Sequence, residues 1–267
     1  MSESFKTEIQ QYEEARRHFA EVVGTKVPTD ELRSRHEVLF SAHSCAIEGN
    51  SFTVGDTQEL KEKGLGIIPH GKTLFEAFEI LDHFKAYEFL LSDTSRPLSE
   101  QLLKDTHRLL TANTLQYKVP GAVPGEYTDT DMCAGETIFG DHEVLIGRVP
   151  ALLEATQKAI DEATQHPIVI AARFHGFYEY LHPFRDGNGR LGRLFSNYIL
   201  LKMGHPMIVI DSAMRAEYIG ALNAIRREHT DEHLITLFFR AATSRMTQDA
   251  DDHLAATERA AHKTFLF

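Results

Sequence analysis

The 267-residue sequence is poor in cysteine, with only Cys45 and Cys133. Two thiols build no disulfide framework, so a reducing compartment is the simpler expectation. The sequence has no uninterrupted apolar run of about 18 residues, so no membrane-spanning helix is expected. Its N-terminal stretch MSESFKTEIQQYEEARRHF carries acids early and lacks an apolar core, unlike a secretory signal. Positive charge is in deficit: 28 Lys and Arg against 39 Asp and Glu give a net charge of −11. A general binder of nucleic acid or of an anionic membrane needs a positive surface, so neither partner is expected. Repeats, low-complexity tracts and linker-like segments are also missing. What remains is a cytoplasmic chain whose 42% hydrophobic content supports one large domain, or a domain with an extension.

The periodicity of apolar residues predicts an all-α fold with one small β-hairpin. Helices are expected over 4–23 and, after the break around Pro28, from an Asp30 N-cap to about Glu48, where Gly49 and Asn50 stop it. Leu32, Leu39, His43, Ala46 and Ile47 share one face of this second helix. Further helices are expected over 55–63, over 72–91, and from a Ser99 cap to about Thr111. Residues 118–146 read as a long loop ending in a hairpin, with strands Thr137–Phe139 and Val144–Ile146 about a tip at Gly140–Asp141. Helical patterns return over 148–165, from Pro167 to Leu181, and again after Asn188. Segments 213–227, 231–247 and 248–262 complete the chain as separate helices.

Between two of these helices lies Leu181–Arg193, LHPFRDGNGRLGR. Asp186, Gly187, Asn188 and Gly189 stand where the second helix begins. Unpaired N–H groups and the helix dipole favour anions at such a terminus, and glycines let a phosphate approach the backbone. Arg190 and Arg193, three residues apart, share a helix face near that end. Two guanidiniums beside an amide nest suit a polyphosphate better than a single carboxylate. Asp186 adds a hard oxygen ligand of the kind Mg²⁺ takes beside substrate phosphates. His182 titrates near neutrality and can accept a proton from an attacking hydroxyl. Phe184 is expected to pack inward and Arg185 to face solvent. Any one of these residues alone would mark a capped helix; their conjunction at one helix start carries the chemistry.

These residues resemble the signature of the Fic family, HPFx(D/E)GN(G/K)RxxR, and His182 through Arg193 satisfy every position. The resemblance implies a Fic-type helical bundle with a β-hairpin flap beside the active-site loop. It also implies a protein adenylyltransferase that moves AMP from ATP to a Ser, Thr or Tyr hydroxyl of a target protein or of itself. His182 would be the base and Asp186 the ligand of Mg²⁺ or Mn²⁺. Gly187, Asn188 and Gly189 would line the anion hole, while Arg190 and Arg193 hold the β- and γ-phosphates. Thr137, Ile138 and Phe139 would form the flap strand that aligns the target segment. Tyr218 and Leu222 fall at the family's adenine pocket, and Arg226 departs from the Asn that close relatives carry there. Gly189 resembles the nucleotidyl-transferring type; the Doc-type kinases carry Lys.

Ser44-Cys45-Ala46-Ile47-Glu48-Gly49 resembles the family's inhibitory motif, (S/T)xxxE(G/N), in the class with an N-terminal inhibitory helix. The expected contact is a bidentate pair between Glu48 and Arg190, which would take that guanidinium away from the γ-phosphate. The implied division is a helical extension over 1–70 carrying this helix, a catalytic core over 71–247 and a C-terminal helix or tail over 248–267. Two other readings stand beside self-inhibited AMP transfer: a phosphodiesterase that removes AMP with a water positioned by Glu48, and a nucleotide sensor without turnover. A homodimer is left open. Asp129–Asp131 and the acidic stretch Asp249–Asp252 read as solvated. His36 and His43 read as structural, and His107, His166 and His205 show no partner in the sequence.

Overall fold

The computed structural model describes residues 5–24, 30–66, 68–134 and 137–264. In chain order the helices are α1 (Lys6–Val23), α2 (Asp30–Ile47), α3 (Val54–Lys63), α4 (Leu74–Leu91), α5 (Glu100–Leu110) and the short α6 (Leu115–Lys118). A two-stranded antiparallel sheet follows, β1 (Met132–Ala134) and β2 (Thr137–Gly140). Then come α7 (His142–Ile146), α8 (Val149–Asp161), α9 (Pro167–Leu181), α10 (Asn188–Lys202), α11 (Arg215–Arg227) and α12 (Glu232–Thr264). The expected all-α architecture with a small hairpin is what the chain adopts.

Local chemistry sets many of the boundaries. Thr73 and Glu76 exchange bonds in a capping box at the start of α4, as Thr53 and Asp56 do at α3. Ser99 Oγ accepts from Leu102 N at 3.1 Å and caps α5. Pro167 opens α9 at a position where its missing N–H costs nothing. The centre of the molecule is the α9–α10 pair. Ile168, Ile170, Ala171, Phe174 and Tyr178 of α9 and Leu191, Leu194, Phe195, Tyr198 and Ile199 of α10 are all buried. Helices apolar on nearly every face belong inside a core, so the 182–187 loop between them is carried on rigid supports.

Two elements differ from the sequence pattern. The strand partner of β2 is Met132–Ala134, with Cys133 opposite Ile138 and Ala134 opposite Thr137. Val144–Ile146 is helical instead. Asp141 Oδ1 accepts from Glu143 N and Val144 N, so an N-cap overrides the β preference of that stretch. Next along the sheet Met132 faces Gly140, which leaves Phe139 as the extra residue of a bulge. Segments 231–247 and 248–262 form one continuous helix, α12. Asp249 lies within that helix and is buried, not solvated: it accepts from Arg245 one turn earlier at 2.6 Å and from His36 Nε2 of α2 at 2.7 Å. The inhibitory-motif helix is thereby tied to α12.

Replacing Asp249 with Ala leaves His36 without its carboxylate and Arg245 with only the more distant Asp252, at 3.9 Å. That should cost about 2 kcal/mol of stability. Asp252→Ala, which breaks the more exposed pair with Arg35, should cost under about 1 kcal/mol. Urea denaturation of both variants measures the contrast.

Candidate active site

His182 terminates α9 in the left-handed conformation, φ 47° and ψ 56°, its N–H bonded to Tyr178 O at 3.0 Å. The chain then turns through a loop closed by Asn188. Asn188 Oδ1 accepts from Phe184 N at 3.0 Å, and its Nδ2 donates to Phe184 O at 2.7 Å. The Asn188 side chain is therefore committed to the loop, and what α10 offers outward is its first-turn backbone. Phe184 is buried and stacks on His107 with ring centroids 3.8 Å apart. His107 Nδ1 accepts from Gly125 N at 2.9 Å, which leaves Nε2–H to donate to Asp186 O at 3.0 Å. Gly187 has φ 81°, and a Cβ there would lie 3.0 Å from Thr111 Cγ2, so glycine is required twice over. Arg185, expected in solvent, bonds Asp129 and Thr130, both at 2.9 Å.

The two arginines serve different partners. Arg190 is buried and folds back onto Asp186 Oδ2 at 2.7 Å and onto Glu79 Oε1 of α4 at 3.4 Å. Arg193, one turn deeper, faces α2. Its Nη2 donates to Glu48 Oε1 at 2.8 Å and to Ser44 O at 2.7 Å, and its Nε to Ser44 Oγ at 3.1 Å. The expected bidentate Glu48–Arg190 pair is therefore replaced by a Glu48–Arg193 pair. The cause is helix rotation: the i+3 step turns Arg193 toward the Ser44–Glu48 side while Asp186 and Glu79 already hold Arg190. Gly189 has its own role here. A Cβ at this position would lie 2.3 Å from Glu48 Oε1, so any side chain here would displace the carboxylate from its present place.

Tyr218 is buried beside Arg193, whose Nη1 donates to its hydroxyl at 3.1 Å. That hydroxyl lies 2.6 Å from His175 Nε2 and donates to it, since a guanidinium can only donate. Leu222, one turn on, is half-buried against the core. Of the flap residues, Phe139 stacks on His182 with centroids 3.9 Å apart; the side chains of Thr137 and Ile138 lie outside the described residues. Sequence reading missed Glu79, Lys118, His107 and Glu179. Lys118 Nζ bonds Glu79 Oε1 at 2.8 Å and approaches Asp186 Oδ2 at 3.5 Å. Only the fold brings α4, α5 and α6 to the loop, so no local spacing announces Glu79, His107 or Lys118; Glu179, three residues before His182 on α9, is the local exception.

The His182 imidazole does not titrate near neutrality as expected: burial holds it down at about 4, with the Arg226 charge adding to the effect. It is neutral at pH 7 and free to accept a proton. Burial raises the Glu48 carboxyl, but the Arg193 guanidinium outweighs this and holds it below its ordinary value. Glu179 goes the other way. Burial and the Glu48 charge push its carboxyl up to about 7, and its Oε2 lies 3.8 Å from His182 Nδ1. Arg190 and Arg193 are both raised by neighbouring acids despite burial. The arrangement combines a neutral base, a carboxylate at a helix start, glycine-lined backbone donors and two buried guanidiniums. It can bind a polyanion and take a proton from a nucleophile beside it.

Comparison with known proteins agrees with this geometry. Residues 97–200 match the model of the Fic/DOC family. The protein adenylyltransferase Fic of Nematostella vectensis is 31% identical over 222 residues, covering 80% of this chain and 48% of that protein. The protein of the same description from Culex quinquefasciatus is 29% identical over 226 residues, covering 82% of this chain and 42% of that protein. This chain thus spans less than half the length of these curated relatives. A Fic-domain-containing signaling protein from Bacteroides thetaiotaomicron shares the fold with a TM-score of 0.76 at 23% identity, covering 93% of this chain and 97% of that one.

Glu179 yields a stability test. A carboxyl raised on folding binds more protons in the native state, so stability falls as pH rises from the ordinary Glu range, about 4.3, through about 7. Glu179→Gln should have little effect at pH 5 and should stabilise the protein at pH 8 by on the order of 2 kcal/mol. Thermal melts across that window check the sign.

Proposed function

This chain carries a Fic/DOC-family domain, and from that premise we propose that it is a self-inhibited protein adenylyltransferase. It transfers AMP from ATP to a Ser, Thr or Tyr hydroxyl of a target protein or of itself. The observation that carries the reading is the position of Arg193. Its buried guanidinium lies at the phosphate-binding end of α10, one turn from Arg190, and is held by Glu48 from another element.

In the transfer step His182 accepts the proton of the target hydroxyl as that oxygen bonds to the α-phosphorus. The bond from the α-phosphorus to the bridging oxygen breaks, and pyrophosphate leaves. Backbone N–H groups at Gly187, Asn188 and Gly189 face the phosphates, where developing charge is stabilised without reorganisation. Arg190 and Arg193 hold the β- and γ-phosphates. Asp186 is 24% exposed at the loop and pairs with cations already, so its carboxylate fits a divalent ion. Such an ion, Mg²⁺ or Mn²⁺, would neutralise phosphate charge. Tyr218 and Leu222 form the wall expected to meet the base, and residues 137–139 align the target strand.

Glu48 sets the brake. While its carboxylate holds Arg193 and covers Gly189, a γ-phosphate lacks that cation and meets a negative charge in its place. ATP then enters with its α-phosphate turned from the acceptor. The helical extension over 1–70, with α2, is on this reading the regulatory part of the chain, and 71–247 the catalytic core. A cytoplasmic location follows the cysteine usage.

Glu48→Gly should raise self-labelling from radiolabelled ATP and a divalent ion by tenfold or more. His182→Ala should abolish it in either background. Equal labelling of the parent and Glu48→Gly proteins, both folded by circular dichroism, would sink the proposal.

A further inference from the structure

The flap is a two-stranded ribbon of seven paired or bulged residues, and such a ribbon is marginal by itself in water. Its position therefore depends on what its side chains grip. Phe139 is the bulged residue of β2, and a bulge re-aims a side chain out of the strand's alternation. Its ring stacks on His182 at 3.9 Å and 24°. The Arg226 guanidinium of α11 lies over the same ring, its Cζ 4.2 Å from the centroid, and 4.9 Å from the Tyr180 ring. Arg226 is itself anchored, because its Nη2 donates to Glu179 O and, at 3.0 Å, to Tyr180 O. Those carbonyls end α9, where backbone acceptors have no helical partner and a cation is favoured.

We propose that Arg226 is a positioning residue for the flap, clamping Phe139 against His182 so that the target-pairing strand stands at a set height over the base. The proposal rests on the reading of His182 as base and of 137–139 as the target strand. It also reassigns Arg226. Its Nη2 is committed to two carbonyls and its plane lies against two rings, so the side chain is held at the flap and the end of α9. The clamp links three elements that each act on the acceptor: α9 carries His182 at its end, α11 supplies the cation, and β2 supplies the pairing edge. A target segment that pairs with β2 then finds its hydroxyl registered to the imidazole by the same ring that shields it from water.

Two readouts test the clamp, one of them independent of activity. Amide hydrogen exchange over residues 132–134 and 137–140 of the nucleotide-free protein should accelerate about fivefold in Arg226→Ala, consistent with loss of one cation–π contact. Phe139→Leu, which leaves the α9 carbonyls capped, should do the same, and the double variant should exchange no faster than either single one. Arg226→Lys, with a cation still over the ring, should recover most of the protection. In a Glu48→Gly background, Arg226→Ala should lower the kcat of self-labelling about tenfold and leave the KM for ATP within about twofold. Unchanged flap exchange or additive effects overturn the clamp. So does a rise in the KM for ATP or a shift toward GTP, which would make Arg226 a reader of the base. Absence of labelling by the Glu48→Gly parent would count against the adenylyltransferase reading alone, and the exchange result would still decide the clamp.

Discussion

A buried guanidinium cannot stand alone, and the molecule is arranged around that constraint at Arg193. Its side chain is 2% exposed, and its nitrogens are shared among Glu48, Ser44 and Tyr218. Removing one partner of such a cation without replacement leaves an uncompensated buried charge, which is far costlier than any surface pair. On the proposed reading the site has two satisfied states. In one, Glu48 supplies the negative charge; in the other, a phosphate would. This makes the same residue part of the fold's stability and part of the proposed chemistry.

The rest of the structure keeps the first state within reach of the second. The end of α2 is held where Glu48 meets Arg193: Arg215 Nε donates to Ile47 O at 2.7 Å, and Asn50 Nδ2 to Glu79 Oε2 at 3.1 Å. Glu79 in turn bonds Arg190 and Lys118, so the two arginines of α10 are balanced by carboxylates from two different elements. At its other end α2 is tied to α12 through His36 and Asp249. The loop that presents the backbone donors has its own lock in the Asn188–Phe184 exchange, so strain on the brake need not disturb it.

Much of this was legible in the sequence where the cause was local. The helical pattern around Leu181–Arg193, the Ser99 cap and Pro167 at the first turn of α9 each depend on residues within one turn of one another. The 182–193 loop was legible for the same reason, because its charges and glycines are contiguous. What was not legible depended on rotation or distance. Which arginine meets Glu48 turns on the orientation of α10 against α2, and a three-residue step moves a side chain to a different partner. The hairpin register turned on Asp141 capping α7, a competition that β preference alone does not reveal. Asp249 for His36 and Glu79 for Arg190, 213 and 111 residues away, are partners that tertiary packing supplies.

The central claim is that Glu48 and a terminal phosphate compete for Arg193. Calorimetric titration of inorganic triphosphate into the parent, Glu48→Gly, Arg193→Ala and doubly substituted proteins measures it directly. The account predicts at least about tenfold tighter binding in Glu48→Gly, a difference of about 1.4 kcal/mol, and loss of that gain when Arg193 is also replaced. Equal affinity in the parent and Glu48→Gly proteins, or a gain that survives Arg193→Ala, would contradict it.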